Sequence, residues 1–96
     1  MDLVFDAPLW RWEGNAGWHF ISLPEEIADE IEDSPIQRGG FGSVRVHVQV
    51  GVTTWSTSLF PDTKRGTYIL PMKKQVRLKE QLEEGDAVHV HLTIAD

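Results

Sequence analysis

Apolar side chains recur at every second residue in several short segments of this 96-residue chain. In the clearest segment, residues 44–50, four valines alternate with Arg45, His47 and Gln49, and residues 87–94 repeat the pattern. Because successive side chains of a strand point to opposite faces, this alternation indicates β-strands with one buried face. The chain is therefore predicted to be mainly β-structure.

The alternating segments, taken with the turn signals between them, predict six strands and two short helices. The strands are expected at residues 3–13, 18–23, 44–50, 53–59, 68–70 and 87–94, and the helices at residues 24–33 and 73–82. Residues 14–17 are expected to form a turn, and Pro8 to mark a strand edge or a bulge. Strands this short do not build a large open sheet, whereas closure removes their exposed edges. We predict one domain over residues 1–96, a small six-stranded β-barrel with two short helices.

The compartment is predicted from the ends and the composition of the chain. The sequence contains no cysteine, which excludes disulfides, thiolate nucleophiles and cysteine zinc sites. No apolar run approaches the roughly 20 residues that span a bilayer, and the first residues carry no signal-peptide pattern. We expect a cytoplasmic protein without a membrane anchor, present as a monomer or a homodimer.

Charge is distributed unevenly along the chain. Residues 1–43 contain nine acidic and two basic residues, whereas residues 44–96 contain six acidic and seven basic ones. The net charge of −6 makes a nucleic acid an unlikely partner, although the basic segment around the second helix keeps that possibility open. Lys73 and Arg77 are four residues apart and share a helix face. Their partner is either an anionic ligand or the acidic first helix, and the helix is the simpler choice because it needs no ligand.

Two other motifs admit both a chemical and a purely structural interpretation. The glycine-rich segment 37–43 lacks the P-loop spacing and precedes a strand, which favours a tight connection that needs positive φ. His89 and His91 lie on one strand face and form a metal pair only if His47 joins them from a neighbouring strand. Three solvated histidines are the simpler interpretation.

Nucleophilic catalysis has little support in the sequence. The candidate nucleophiles are Ser43, Ser56 and Ser58, but no G-x-S-x-G motif is present. No histidine and aspartate can be assigned to a serine from spacing alone.

Four tryptophans are many for a chain of this length. Trp18 and Trp55 are expected in the core, since large aromatic side chains fill small cores. Trp10 and Trp12 share a strand face and are equally compatible with the core and with a stacking platform for ring ligands.

Five sequence blocks, in order along nearly the whole chain, resemble one small prokaryotic family. The blocks are GWHFISLP, RGGFGSVRVHVQVG, TTWSTSLFPD, GTYILPMKKQVR and EGDAVHVHL. The family is catalogued as domain of unknown function nineteen-oh-five. The resemblance implies a double-split β-barrel, the type that transition-state regulators also use, and it implies no activity.

Polar and aromatic residues cluster between the fourth strand and the second helix, where we expect a binding cleft. Its predicted lining residues are Trp55, Ser58, Tyr68, Lys73 and Arg77. The first hypothesis is a non-enzymatic binding module for a small anionic ligand or a protein partner, with no metal and no cofactor. Nucleic-acid binding, by analogy with the barrel type, is the alternative, and a metal-dependent or hydrolytic enzyme is the third.

Overall fold

The computed structural model describes residues 1–14 and 17–95. Its strands are β1 (Asp2–Arg11), β2 (His19–Ser22), β3 (Val44–Val50), β4 (Thr53–Asp62), β5 (Thr67–Pro71) and β6 (Ala87–Ile94). Its helices are α1 (Glu25–Glu32) and α2 (Lys74–Lys79), and no helix in the described ranges has the length and apolarity needed to cross a bilayer. The turn expected at residues 14–17 contains Asn15 and Ala16, which lie outside the described residues.

The six strands form a closed antiparallel barrel in the order β1-β2-β5-β4-β3-β6. Two ten-residue strands, β1 and β4, are each divided between two partners. β1 pairs with β6 up to Pro8 and with β2 from Leu9 onward, and β4 pairs with β3 up to Leu59 and with β5 from Phe60 onward. The predicted six-stranded barrel with two short helices is confirmed.

The predicted alternation of buried and exposed residues builds the barrel core. All four valines of β3 are buried, and so are Val88, Val90, Leu92 and Ile94 of β6. Each strand therefore contributes one apolar face to a shared interior, and its polar face points outward. This pattern fixes the register, since a one-residue slip would turn every valine of β3 to solvent.

Pro8 lies at a partner exchange and not at a strand edge. It is the last residue of β1 opposite β6, and the next residue, Leu9, donates its backbone N–H to the carbonyl of Asp86 at 2.9 Å. A proline cannot donate a ladder hydrogen bond, so the point where a strand changes partners accommodates it.

The structure also corrects two element boundaries. β4 continues through Pro61 to Asp62, because its last residues pair with β5. α2 is shorter than predicted, since Gln81 adopts a left-handed conformation with φ of 56°.

Both helices pack against the core, and α2 does so through Val76. α1 buries Ala28 and Ile31, and its C-terminal turn is tied to β5 through the Tyr68 hydroxyl. Arg38 donates to that hydroxyl at 2.7 Å, and the hydroxyl donates to a carboxylate oxygen of Glu32 at 2.8 Å. Burial, reinforced by the bond to Glu32, raises the pKa of Tyr68 above its ordinary value.

Candidate functional site

The largest cavity lies where the ends of β1 and β2 approach the loop after β4. Its volume is about 580 Å³. We call it the aromatic groove, and its lining residues are Trp10, Trp12, Trp18, Phe20, Pro61, Asp62, Thr63, Lys64, Arg65 and Ile69.

Strand geometry places the aromatic rings on the outer face of the barrel. Leu9 and Ile21 are opposite each other and fully inside, so their neighbours Trp10 and Phe20 point outward. The rings of Trp10 and Phe20 stack across the two strands with centroids 5.2 Å apart. The Trp10 indole N–H donates to the Ser22 hydroxyl at 2.9 Å, which fixes the plane of that ring.

Trp12 and Trp18 extend this aromatic surface into solvent. The pairing of β1 and β2 continues to them, since the Trp12 backbone N–H donates to the Trp18 carbonyl at 2.8 Å. Trp12 is 48% exposed and Trp18 is 55% exposed. The prediction that Trp18 lies in the core is therefore wrong. Trp18 is two residues before Phe20, so its side chain points to the same outer face of the barrel. Together with Trp10, the side chains of Trp12 and Trp18 form a contiguous exposed aromatic patch, and such patches are typical of interaction sites.

Gly14 sets the position of the Trp12 ring. A Cβ atom built at Gly14 would collide with the indole of Trp12. Only glycine therefore lets the ring lie against the backbone at this point.

Arg65, which is held by Asp62, also lines the aromatic groove. Arg65 donates to Asp62 through its guanidinium at 2.8 Å and through its backbone N–H at 3.2 Å. Its guanidinium carbon lies 4.3 Å from the centroid of the Trp10 ring, within the range of a cation–π contact. The turn closes with Gly66 at φ of 70°, whose N–H bonds to the Asp62 carbonyl. The loop therefore holds Arg65 against the aromatic surface.

Asp62 is held in its ionised form. Burial alone would raise the pKa of this carboxyl group, but the hydrogen bonds and the charge of Arg65 outweigh burial and lower it. Since the folded-state pKa lies below the unfolded value of 3.8, the stabilisation by ionised Asp62 is present above pH 3.8. It is lost as the pH falls through the folded-state pKa.

We expect Asp62→Asn to lower the free energy of unfolding at neutral pH by roughly 0.5–1 kcal/mol, because half-exposed ion pairs contribute little. The difference from the wild type should shrink towards zero as the pH falls below 3.8. Urea unfolding at a series of pH values measures it, with exposed Asp29→Asn as the charge-matched control. A difference that stays constant across the whole series would contradict this assignment.

Lys73 and Arg77 line a second cavity of about 270 Å³, directly beside the aromatic groove. We call it the basic cavity, and its lining residues are Gly17, Trp18, His19, Pro71, Met72, Lys73, Lys74 and Arg77. In the described part of the chain no salt bridge joins its cations to α1. The simpler sequence-based choice, the acidic helix as their partner, is therefore wrong, because these side chains face a cavity.

The other three residues of the predicted cleft lie elsewhere. Trp55 packs against the core and lines a cavity with His47 and His91, so its expected core position is confirmed in part. Ser58 lines a cavity with Arg38 and Arg45. Tyr68 is buried, and its hydroxyl group forms hydrogen bonds with Arg38 and Glu32. Of the five predicted residues, the structure brings only Lys73 and Arg77 into one cavity.

The histidines are divided among different partners. His47 and His91 lie on neighbouring strands, β3 and β6, but His89 bonds to Asp6 at 2.7 Å. Within residues 1–14 and 17–95, no three potential ligands converge on a metal position.

A polar pair that was not predicted from the sequence joins β3 and β4. His47 and Ser56 are register partners, and the His47 Nδ1 atom lies 2.6 Å from the Ser56 hydroxyl. Across the described residues, no carboxylate bonds to the other His47 nitrogen, so the pair lacks the third member of a triad. The pairing of His47 with Ser56 could have been predicted by placing β3 and β4 as a hairpin around the turn at Gly51 and counting residues outward from it.

The glycine-rich segment forms a tight connection, as predicted. The backbone N–H groups of Gly39, Gly42 and Ser43 donate to carbonyls of the same loop, so they do not point towards an anion. Gly42 has φ of 76°, and Phe41 also has positive φ, at 59°.

The family model described as "Domain of unknown function (DUF1905)" matches residues 5–92, which is most of the chain. No curated protein matches the chain.

Proposed function

We propose that this chain, which belongs to the DUF1905 family, is a non-enzymatic binding module for a small anionic ligand that carries a flat ring. The family description assigns no activity, so the proposal rests on the geometry of the aromatic groove. The observation that carries it is a cavity of about 580 Å³ lined by exposed indoles and by an arginine that lies over the ring of Trp10.

The dimensions and chemistry of the groove suit a small ring compound. Small-molecule sites are clefts of about 300–1,000 Å³ with mostly apolar walls and a few placed polar groups. Trp12 and Trp18 offer exposed faces, and Trp10 is already stacked against Phe20 and Arg65. A flat ring gains contact with such indoles at little cost in conformational entropy.

The preference for an anion follows from the charges along the groove. Lys64 and Arg65 line it, and Asp62 already neutralises Arg65 through two hydrogen bonds. Lys64 is exposed and forms no salt bridge within the described ranges. The positive charge of Lys64 therefore remains available to attract a negatively charged ligand.

The side chains that line the groove favour binding over catalysis. Asp62 is the only described lining residue that could take up a proton, and its lowered pKa keeps it ionised at neutral pH. Indoles and guanidinium groups stack and attract but are poor acids and bases at that pH.

The cytoplasmic location and the monomeric or homodimeric state stay predictions from the sequence.

Calorimetric titration with adenosine monophosphate, against ribose 5-phosphate as the matched control without a ring, tests the proposal. Because one base–indole stack contributes about 1–3 kcal/mol, we expect the nucleotide to bind at least about tenfold more tightly. Equal affinity for the two compounds, or no binding of either at millimolar concentration, would overturn the proposal.

A further inference from the structure

The basic cavity and the aromatic groove share a wall. Trp18 lines both cavities, and it lies immediately before β2, where its carbonyl accepts a hydrogen bond from the Trp12 N–H. A ligand whose ring stacks in the groove therefore needs only to pass the Trp18 side chain to enter the basic cavity.

The side chains of the basic cavity are cationic and unopposed. Lys73, Lys74 and Arg77 line it, no acidic residue is among its described lining residues, and none of the three forms a salt bridge in the described ranges. Three like charges around about 270 Å³ repel one another, since no carboxylate offsets them. The resulting positive potential attracts an anion to the cavity.

One contact prepares the guanidinium group of Arg77 to donate hydrogen bonds into the cavity. The Arg77 Nε–H donates to the Met72 carbonyl at 3.0 Å, which orients the guanidinium plane. A guanidinium group held in this way, together with the ammonium groups of Lys73 and Lys74, matches the oxygens of a phosphate group.

We infer that the basic cavity is a polyphosphate subsite, so that the ligand of this protein is a nucleotide carrying a phosphate chain. The inference rests on the proposed function, since it assigns the ring of the same ligand to the aromatic groove. A single carboxylate would leave most of the positive charge of Lys73, Lys74 and Arg77 uncompensated, whereas a phosphate chain supplies several negative charges along its length.

The experiment compares three probes by calorimetric titration in the presence of a chelator: adenosine, adenosine triphosphate and inorganic tripolyphosphate. We expect the triphosphate to bind at least about tenfold more tightly than adenosine, because charge-assisted hydrogen bonds add to stacking. Tripolyphosphate alone should bind measurably, and more weakly than the nucleotide.

A variant pair locates the effect. Lys73→Ala/Arg77→Ala should remove the advantage of the triphosphate over adenosine and leave adenosine affinity within about twofold of the wild type. Arg45→Ala/Lys79→Ala removes the same charge outside both cavities and should retain the advantage. Since Arg77 also bonds to the Met72 carbonyl, Lys73→Ala/Lys74→Ala provides a second test that leaves that bond intact.

The outcomes separate the two proposals. If adenosine binds but both cavity variants retain wild-type affinity for the triphosphate, the polyphosphate subsite is wrong and the aromatic groove stands. If the triphosphate and tripolyphosphate bind equally and adenosine does not bind, the groove is wrong and the subsite stands. Failure of all three probes to bind overturns both.

Discussion

Replacing both Trp12 and Trp18 by alanine is expected to weaken the binding of adenosine monophosphate by at least about thirtyfold. Each indole stacked on a base contributes about 1–3 kcal/mol, and the two losses together reach roughly 2–6 kcal/mol. Both side chains are about half exposed, so their removal should change the free energy of unfolding by less than about 1 kcal/mol. Calorimetric titration gives the affinity and urea unfolding gives the stability.

Phe41→Ala is the matched control for this double variant. Phe41 is a fully exposed aromatic residue in the glycine-rich loop and does not line the aromatic groove. Its removal should leave the affinity unchanged. The interpretation fails if Phe41→Ala weakens binding as much as the double variant, or if the double variant binds like the wild type.

Leu59→Ala is expected to lower the free energy of unfolding by about 2–5 kcal/mol. Leu59 is fully buried and is the last residue of β4 opposite β3, immediately before the strand passes to β5. Truncation leaves a cavity at the point where two strand pairings meet. A domain of this size has only about 5–15 kcal/mol of stability, so the loss should be obvious in a urea titration.

Two further variants identify the cause of that loss. Leu59→Met keeps most of the volume and should cost less than about 1.5 kcal/mol. Exposed Thr54→Ala on the same strand should change the stability by no more than about 0.5 kcal/mol. A cost for Leu59→Ala that is no larger than the cost for Thr54→Ala would mean that β4 does not cross the barrel core at this residue.

The barrel was predictable because alternation reports strand faces directly. The four valines of β3 alternate with polar residues without interruption, as do Val88, Val90, Leu92 and Ile94 of β6, and all eight are buried. The divided pairing of β1 was not predictable from the residues, because the alternation of buried and exposed residues continues unchanged through Pro8 while the partner strand changes. The strand β4 was predicted to end at Leu59, so its second pairing with β5 was missed. That exchange depends on the closed geometry of the whole barrel.

The candidate site was predictable only in its parts. The shared face of Trp10 and Trp12 and the helical spacing of Lys73 and Arg77 were both visible in the sequence. Strand register brings Trp18 between the two sets, and the extension of β4 to Asp62 places Arg65 over the ring of Trp10. Trp55 and Ser58 are close to this region in sequence, but β4 carries them to other cavities. The cleft was predicted in the wrong place because residues that are close in sequence were expected to be close in space.

The most direct test of the aromatic groove is a titration with adenosine monophosphate, followed through the indole N–H signals of the four tryptophans in a two-dimensional NMR spectrum. Trp10, Trp12 and Trp18 line the groove and Trp55 does not, so the protein contains its own control. We predict saturable shifts for the first three signals and a stationary signal for Trp55. A moving Trp55 signal with three stationary ones, or four stationary signals, would contradict the proposed site.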